Sequence, residues 1–192
     1  DLLQRINESK FMWIGGNILH NKDGQLVPFS RSKNGMEEKF SKHYIWRVPV
    51  REDQFIKVGI FASTLPSNKK DYVHYNDWMT EVKKDYATLK ANCDVVIGLT
   101  HHEVEDDIKI AQALPDLPLI MGGHDHDNMM EQIGNTKITK ADANAKTVYV
   151  HHLTFDPATK TTTLTAELVP INESKEQDPE VAKTVNKWNN IA

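Results

Sequence analysis

The sequence predicts an α/β fold, a parallel sheet flanked by helices with a β-rich C-terminal part forming the second sheet of a sandwich. Strand-length apolar runs at residues 56–62, 95–99 and 117–121 alternate with two helical patterns. In that β-α-β-α-β order, right-handed crossovers make the three strands parallel neighbours. Beyond residue 130 the character changes, and residues 147–155 and 161–169 are rich in β-formers joined by a hairpin loop at 156–160. A length of 192 residues suits one hydrophobic core and is short for two.

Taken in order, residues 2–7 read as the end of an amphipathic helix, in a chain whose start at Asp1 suggests processing or a piece of something longer. Residues 11–18 read as a short strand turned by 21–24. The segment 29–42 is polar, contains Gly35, and reads as a loop before a strand at 44–50. A turn at 51–53 leads into the strand at 56–62. Met79, Val82, Tyr86, Leu89 and Cys93 fall at spacings of 3, 4, 3 and 4, which predicts a helix over 76–93 with Asn76 as N-cap. A second helix over 104–114 carries Val104, Ile108, Ala111 and Leu114 inward. After a polar linker at 172–177, Asp178 caps a helix with Pro179 at its first position, running to Ile191 with Val181, Val185 and Trp188 on one face.

Lys plus Arg number 23 and Asp plus Glu 27, a net charge of −4, with both signs scattered. No electrostatic footprint for nucleic acid or anionic lipid results, so no nucleic-acid partner is expected. Apolar runs are far below the roughly 20 residues that cross a bilayer, and the first thirty residues hold no signal-peptide hydrophobic stretch. A soluble chain without a transmembrane segment is expected. Cys93 is the single cysteine, which excludes an intrachain disulfide and a Cys-based zinc cluster.

The chemistry concentrates where two predicted strands end. His101 follows the strand ending at Leu99, and His124 and His126 follow Met121 within Gly122-Gly123-His124-Asp125-His126. In an open α/β sheet ligands gather beyond the carboxyl ends of the strands, so these imidazoles are expected on one rim. In extended backbone, His124 and His126 would point the same way, about 6–7 Å apart, each able to touch one of two metals. Singly, His101 or His124 reads as an ordinary surface histidine in a chain that has nine; together at paired strand ends they read as a metal site. His102 is expected exposed, and Glu103, Asp106 and Asp107 solvated in the first turn of a helix. Asp125 is expected to make a structural hydrogen bond. Of His151 and His152, one should pack and one face water; His20, His43 and His74 show no partner pattern. Three neutral imidazoles bring no charge, however, and a pair of divalent ions needs anionic ligands.

Thr100-His101, a helix, and Gly-Gly-His-x-His followed by a Lys-rich strand resemble the latter half of the calcineurin-like metallophosphoesterase domain, in its 5′-nucleotidase branch. Residues 11–18 are similar to the strand after that family's Gly-Asn-His-Glu motif, and Val58-Gly59-Ile60-Phe61 to its next core strand. The resemblance implies a metallophosphatase-like two-sheet sandwich of which residues 1–171 are the latter part. Residues 172–192 would be a linker and helix leading toward an absent C-terminal domain. It implies two divalent metal ions (Zn, Mn, Fe, Co or Mg), with His101 and His124 on one and His126 on the other. It implies metal-activated water attacking a nucleotide or small phosphate ester, and an exported, periplasmic or secreted, bacterial protein. Lys140 and Asn144 are the residues by which substrate phosphate would be approached, against the plainer reading of a polar loop. The family's Asp-x-His, Gly-Asp-x-x-Asp and Gly-Asn-His-Glu motifs, with their carboxylates and leaving-group histidine, do not occur in the 192 residues. No catalytic residue is therefore assigned, the metals need not be retained, and the isolated chain is expected to be inactive.

A competing reading is a noncatalytic metal-binding or interaction module that keeps part of the phosphatase fold. Two bound metals per chain would favour a site completed by carboxylates such as Glu103 or Asp127; one weak zinc or none would favour a remnant. A dinucleotide-binding unit ranks last, because no Gly-x-Gly-x-x-Gly follows any strand. Unpaired strand edges also raise the expectation of self-association.

Overall fold

The computed structural model of the protein describes residues 2–67 and 69–190. The expectations placed on Asp1 and Ile191 lie outside them. Helix α1 (Leu2–Glu8) precedes a hairpin of β1 (Ile18–Lys22) and β2 (Gln25–Val27), whose turn places Asp23 and Gly24 at positive φ. A second hairpin, β3 (Ser30–Lys33) and β4 (Met36–Lys39), occupies the segment expected to be a loop. Its turn is Asn34-Gly35, with φ of 52° and 77°, the left-handed pair that a two-residue hairpin requires. Arg31, only 6% exposed, bonds across the hairpin to Glu38 Oε2 at 2.5 Å and fixes it to the N-terminal segment by donating to Ser9 O at 3.0 Å and Phe11 O at 2.8 Å.

Residues 11–18 do not form the expected strand. Ile14 makes one isolated bridge to Ser41, and Gly16 then turns away with φ +52°. A Cβ on Gly16 would stand 2.2 Å from the Ala62 carbonyl oxygen, so this turn needs glycine for both its dihedral and its close approach. Asn17, 1% exposed, ties the segment to the sheet's carboxyl rim through Thr64 N and Thr64 O, each at 2.9 Å.

The main sheet holds six strands in the order β10-β11-β9-β8-β6-β5. Strands β5 (His43–Arg51) and β6 (Gln54–Thr64) form an antiparallel pair, and β6, β8 (Val95–His101) and β9 (Leu119–Gly122) are parallel neighbours as predicted. Strand β11 (Thr136–Lys140) continues the sheet parallel to β9, with β10 (Met129–Ile133) antiparallel at the edge. A short strand, β7 (Val73–Tyr75), pairs with β1. Helix α2 (Trp78–Lys90) is capped by Asp77, whose carboxylate accepts from Thr80 N at 2.9 Å. The expected cap, Asn76, is engaged elsewhere, its N–H donating to Asn17 O.

Phe61, Val82, Leu89, Val96, Ile110, Leu117, Ile120 and Ile138 make a core between the sheet and helices α2 and α3 (Val104–Ala113). Each such side chain contributes about 1.5–3 kcal/mol on leaving water. Of the residues expected inward on α3, Ala111 and Leu114 are buried, Ile108 packs half-buried against the core and Val104 is half-buried, while Asp107 and Ile110 are buried besides. On the opposite sheet face, Val58, Val95, Ile97 and Leu119 receive Leu153, Phe155 and Leu164. These come from β12 (Thr147–Asp156) and β13 (Thr161–Pro170), an antiparallel ribbon that is the second layer. Asp178 caps α4 (Pro179–Asn189) as expected, and Val181, Val185 and Trp188 along it are exposed. Among the described residues no helix is long and apolar enough to cross a membrane.

Candidate functional site at the carboxyl rim of the sheet

His101 is the last residue of β8, and the loop carrying His124 and His126 begins where β9 ends at Gly122. The two strand ends meet: the His101 and His124 rings lie edge to face, with centroids 5.3 Å apart. Gly123 permits this, because a Cβ there would stand 3.3 Å from His101 Nδ1. The backbone between His124 and His126 is not the expected extended one. Their φ values are 88° and 67°, left-handed for both. Asn144 and Ala145, at φ 61° and 54°, add two more on the facing turn Ala143–Ala145. Left-handed non-glycine residues cost about 1–3 kcal/mol each and persist where their surroundings enforce them. The remaining four among the described residues, Asp23, Asn34, Asp53 and Lys160, all sit in hairpin turns. The two site loops are joined by Ala143 N donating to His126 O at 3.0 Å and by Asn128 Nδ2 donating to both Asp142 carboxylate oxygens at 3.0 Å.

Burial, then the neighbouring His124, Lys140 and His126 charges, holds His101 below its ordinary pKa. A neutral imidazole with a free lone pair is the form that binds metal. Asp125 makes the structural hydrogen bonds expected of it, accepting from Lys140 Nζ at 2.5 Å and from Val104 N at 3.3 Å. Burial raises its pKa, but those bonds and the Lys140 charge outweigh burial, so the carboxyl lies below its usual range.

Two residues expected in water are inside. His102 is fully buried, on the side of β8 that faces the helices. Its Nε2 lies 2.8 Å from Ser63 Oγ, its ring packs on Trp78 with centroids 4.7 Å apart, and burial drives its pKa down to about 4. Asp107, also fully buried, places Oδ2 2.9 Å from Lys140 Nζ as an ion pair without hydrogen-bond geometry. Burial pushes its pKa up against the pull of Lys140 and Thr100. Strand alternation held a signal for His102, which shares the parity of Val96, Gly98 and Thr100. For Asp107 the signal was its i, i+3 and i, i+4 spacing to Ile110 and Ala111. Of the other histidines, His151 packs with Nε2 2.9 Å from Thr139 Oγ1 while His152 is exposed, as expected of that pair.

Lys140 lies in β11 rather than on a polar loop and is 1% exposed. Its ammonium donates to His102 O, Gly123 O and Asp125, which occupies its three N–H bonds and leaves none to offer a phosphate. Asn144 stands exposed on the turn bonded to His126.

No protein-family model and no curated protein sequence matches the chain. Its structure is similar to the sulfate thiohydrolase SoxB of Thermus thermophilus, with a TM-score of 0.72 and 17% identity, over 93% of this chain and 32% of that one. It is similar to a 5′-nucleotidase precursor from Thermus thermophilus, at 0.68 and 18%, over 95% and 38% of the two chains. The NAD nucleotidase NadN of Haemophilus influenzae matches at 0.61 and 16%, over 98% and 38%. All three have the metallophosphoesterase fold, and the likeness shows that fold for this chain, which spans about a third of their length.

That fold implies metal ions, and the donor set present does not complete a pair of them. His101 and His124 are juxtaposed, but the Asp125 carboxylate beside them is taken by Lys140. Among the described residues no three His, Cys, Asp or Glu side chains are grouped as a metal site.

Proposed function

We propose that this chain supplies the imidazole side of a metal-dependent phosphoesterase site acting on nucleotides or related phosphate esters, in a protein exported by a bacterium. The observation that carries the reading is the meeting of His101 and His124 at the carboxyl rim of parallel strands, where open α/β sheets bind ligands. Residues 1–171 serve as the latter part of a metallophosphatase domain and 172–192 as linker and helix. His101 and His124 are assigned to one metal ion and His126 to the second. Asn144, on the turn bonded to His126, is assigned to the phosphate. Lys140 acts on the strand ends instead. The anionic ligands are assigned to sequence outside these 192 residues, because Asp107 and Asp125 are engaged by Lys140 and no carboxylate is grouped with the histidines as a three-residue metal site among the described residues.

Purified chain incubated with p-nitrophenyl phosphate and Mn²⁺ or Zn²⁺ is expected to show no turnover at ordinary enzyme rates. It is expected to bind Zn²⁺ weakly, with affinity lowered at least ~10-fold by His124→Ala. Turnover that disappears in His124→Ala would show the site to be complete in this chain. Absence of any zinc binding would sink the metal assignment and leave a noncatalytic module on a phosphatase fold. That second reading is the one favoured by the lack of a three-residue metal cluster among the described residues.

A further inference from the structure

His101 still pairs with Thr64 of β6, but the ladder between β8 and β9 does not reach the histidines. Between β8 and β9 the paired residues are Gly98 with Ile120 and Leu99 with Met121, and His101 and His124 lie beyond the last pair. Something other than main-chain pairing must hold the two strand ends in register. The structure places one side chain across that gap. Lys140 Nζ lies 2.5 Å from His102 O at the end of β8, and 3.0 Å from Gly123 O and 2.5 Å from Asp125 Oδ2 in the loop after β9. It lies 2.9 Å from Asp107 Oδ2 on α3. The three acceptors and the ion-pair partner thus belong to three separate segments, all reached by one ammonium.

An ammonium so buried is strongly unfavourable unless charges and hydrogen bonds surround it, and breaking such a pair strands the partner charge. Space has been left for it: a Cβ at Gly122 would meet Lys140 Cε and Asp107 Oδ2, each at 2.9 Å. Asp125 sits between two left-handed histidines, so its bond to Lys140 also restrains the backbone that carries both imidazoles.

We propose that Lys140, acting through Asp125 and the Gly123 carbonyl, is the positioning residue that holds the His124–His126 loop against His101. The proposal rests on the reading that these histidines act together, and its test separates the two. Co²⁺ binding, followed by visible absorption, is measured alongside amide hydrogen exchange of His124, Asp125 and His126 and thermal stability. Lys140→Met is expected to weaken Co²⁺ binding 10–100-fold, to speed exchange of the three amides and to lower stability. Lys140→Met with Asp107→Asn removes the stranded carboxylate and should recover stability. Co²⁺ affinity and amide protection should stay lost, because Asp125 and Gly123 O still lack their donor. Recovery of all three would reduce Lys140 to a general stabiliser and overturn the proposal, as would unchanged exchange in Lys140→Met. If that variant does not fold, Asp125→Ala, which leaves Lys140 paired with Asp107, must loosen the same amides with stability near wild type; unaltered amides overturn the proposal. Wild-type chain that binds no Co²⁺ yet shows Lys140-dependent amide protection would end the metal assignment and leave the positioning role standing.

Discussion

Gly122 and Lys140 are register partners in the parallel strands β9 and β11, and the backbone of the first passes so close to the second that a methyl group on Gly122 would stand 2.9 Å from Lys140 Cε. The same methyl would stand 2.9 Å from Asp107 Oδ2. The glycine therefore makes room for a buried ion pair and is not there for an unusual dihedral. Gly122→Ala should lower stability by about 1–3 kcal/mol through overpacking. Urea denaturation would show it as a lower midpoint with unchanged slope; a midpoint equal to wild type would mean that the pair shifts freely.

His102 gives the chain an acid-sensitive fold. Burial holds it at about 4, against about 6.5 in an unfolded chain. Between those values the unfolded state binds a proton that the folded state refuses. Its contribution is therefore fully present above about pH 6.5 and is lost as pH falls toward 4, by roughly 3 kcal/mol in all. His102→Gln, which can still bond Ser63, removes this titration. Its stability curve between pH 7 and 4.5 should be flatter than the wild-type curve, and parallel curves would refute the assignment.

Asp85 acts with the opposite sign. It is 5% exposed, one carboxylate oxygen lacks a partner, and the other lies 3.3 Å from His43 Nδ1. Burial raises its pKa against the pull of His43, so its contribution is fully present below the unfolded value and is lost as pH rises through the folded one. Asp85→Asn should stabilise the chain by about 1 kcal/mol at pH 7 and by nothing at pH 3, read as a difference in melting temperature. A variant less stable at both values would show that the carboxylate earns its place through His43.

Much of the fold was legible in the residues. Apolar runs and 3–4 spacing located β6, α2, β8, α3 and β9, because buried strands and amphipathic helices impose those periods directly. The β3–β4 hairpin was legible too, in Asn34-Gly35, but the polar residues around that dipeptide masked it. Residues 11–18 misled in the other direction. Apolar content suggested a strand there, while Gly16 had to turn against the Ala62 carbonyl, a long-range approach that no local pattern encodes.

The site divides along the same line. By itself the sequence determined that His101, His124 and His126 lie at the carboxyl ends of two strands, since each apolar run stops within two residues of its strand's end. It also determined that these residues bring no negative charge. Only the tertiary structure decided that His102 and Asp107 lie inside and that Lys140 is enclosed by carbonyls and carboxylates from three segments. Chain periodicity sets the face on which a side chain emerges. Whether that face meets water or a buried counter-charge depends on which distant segment the fold brings against it.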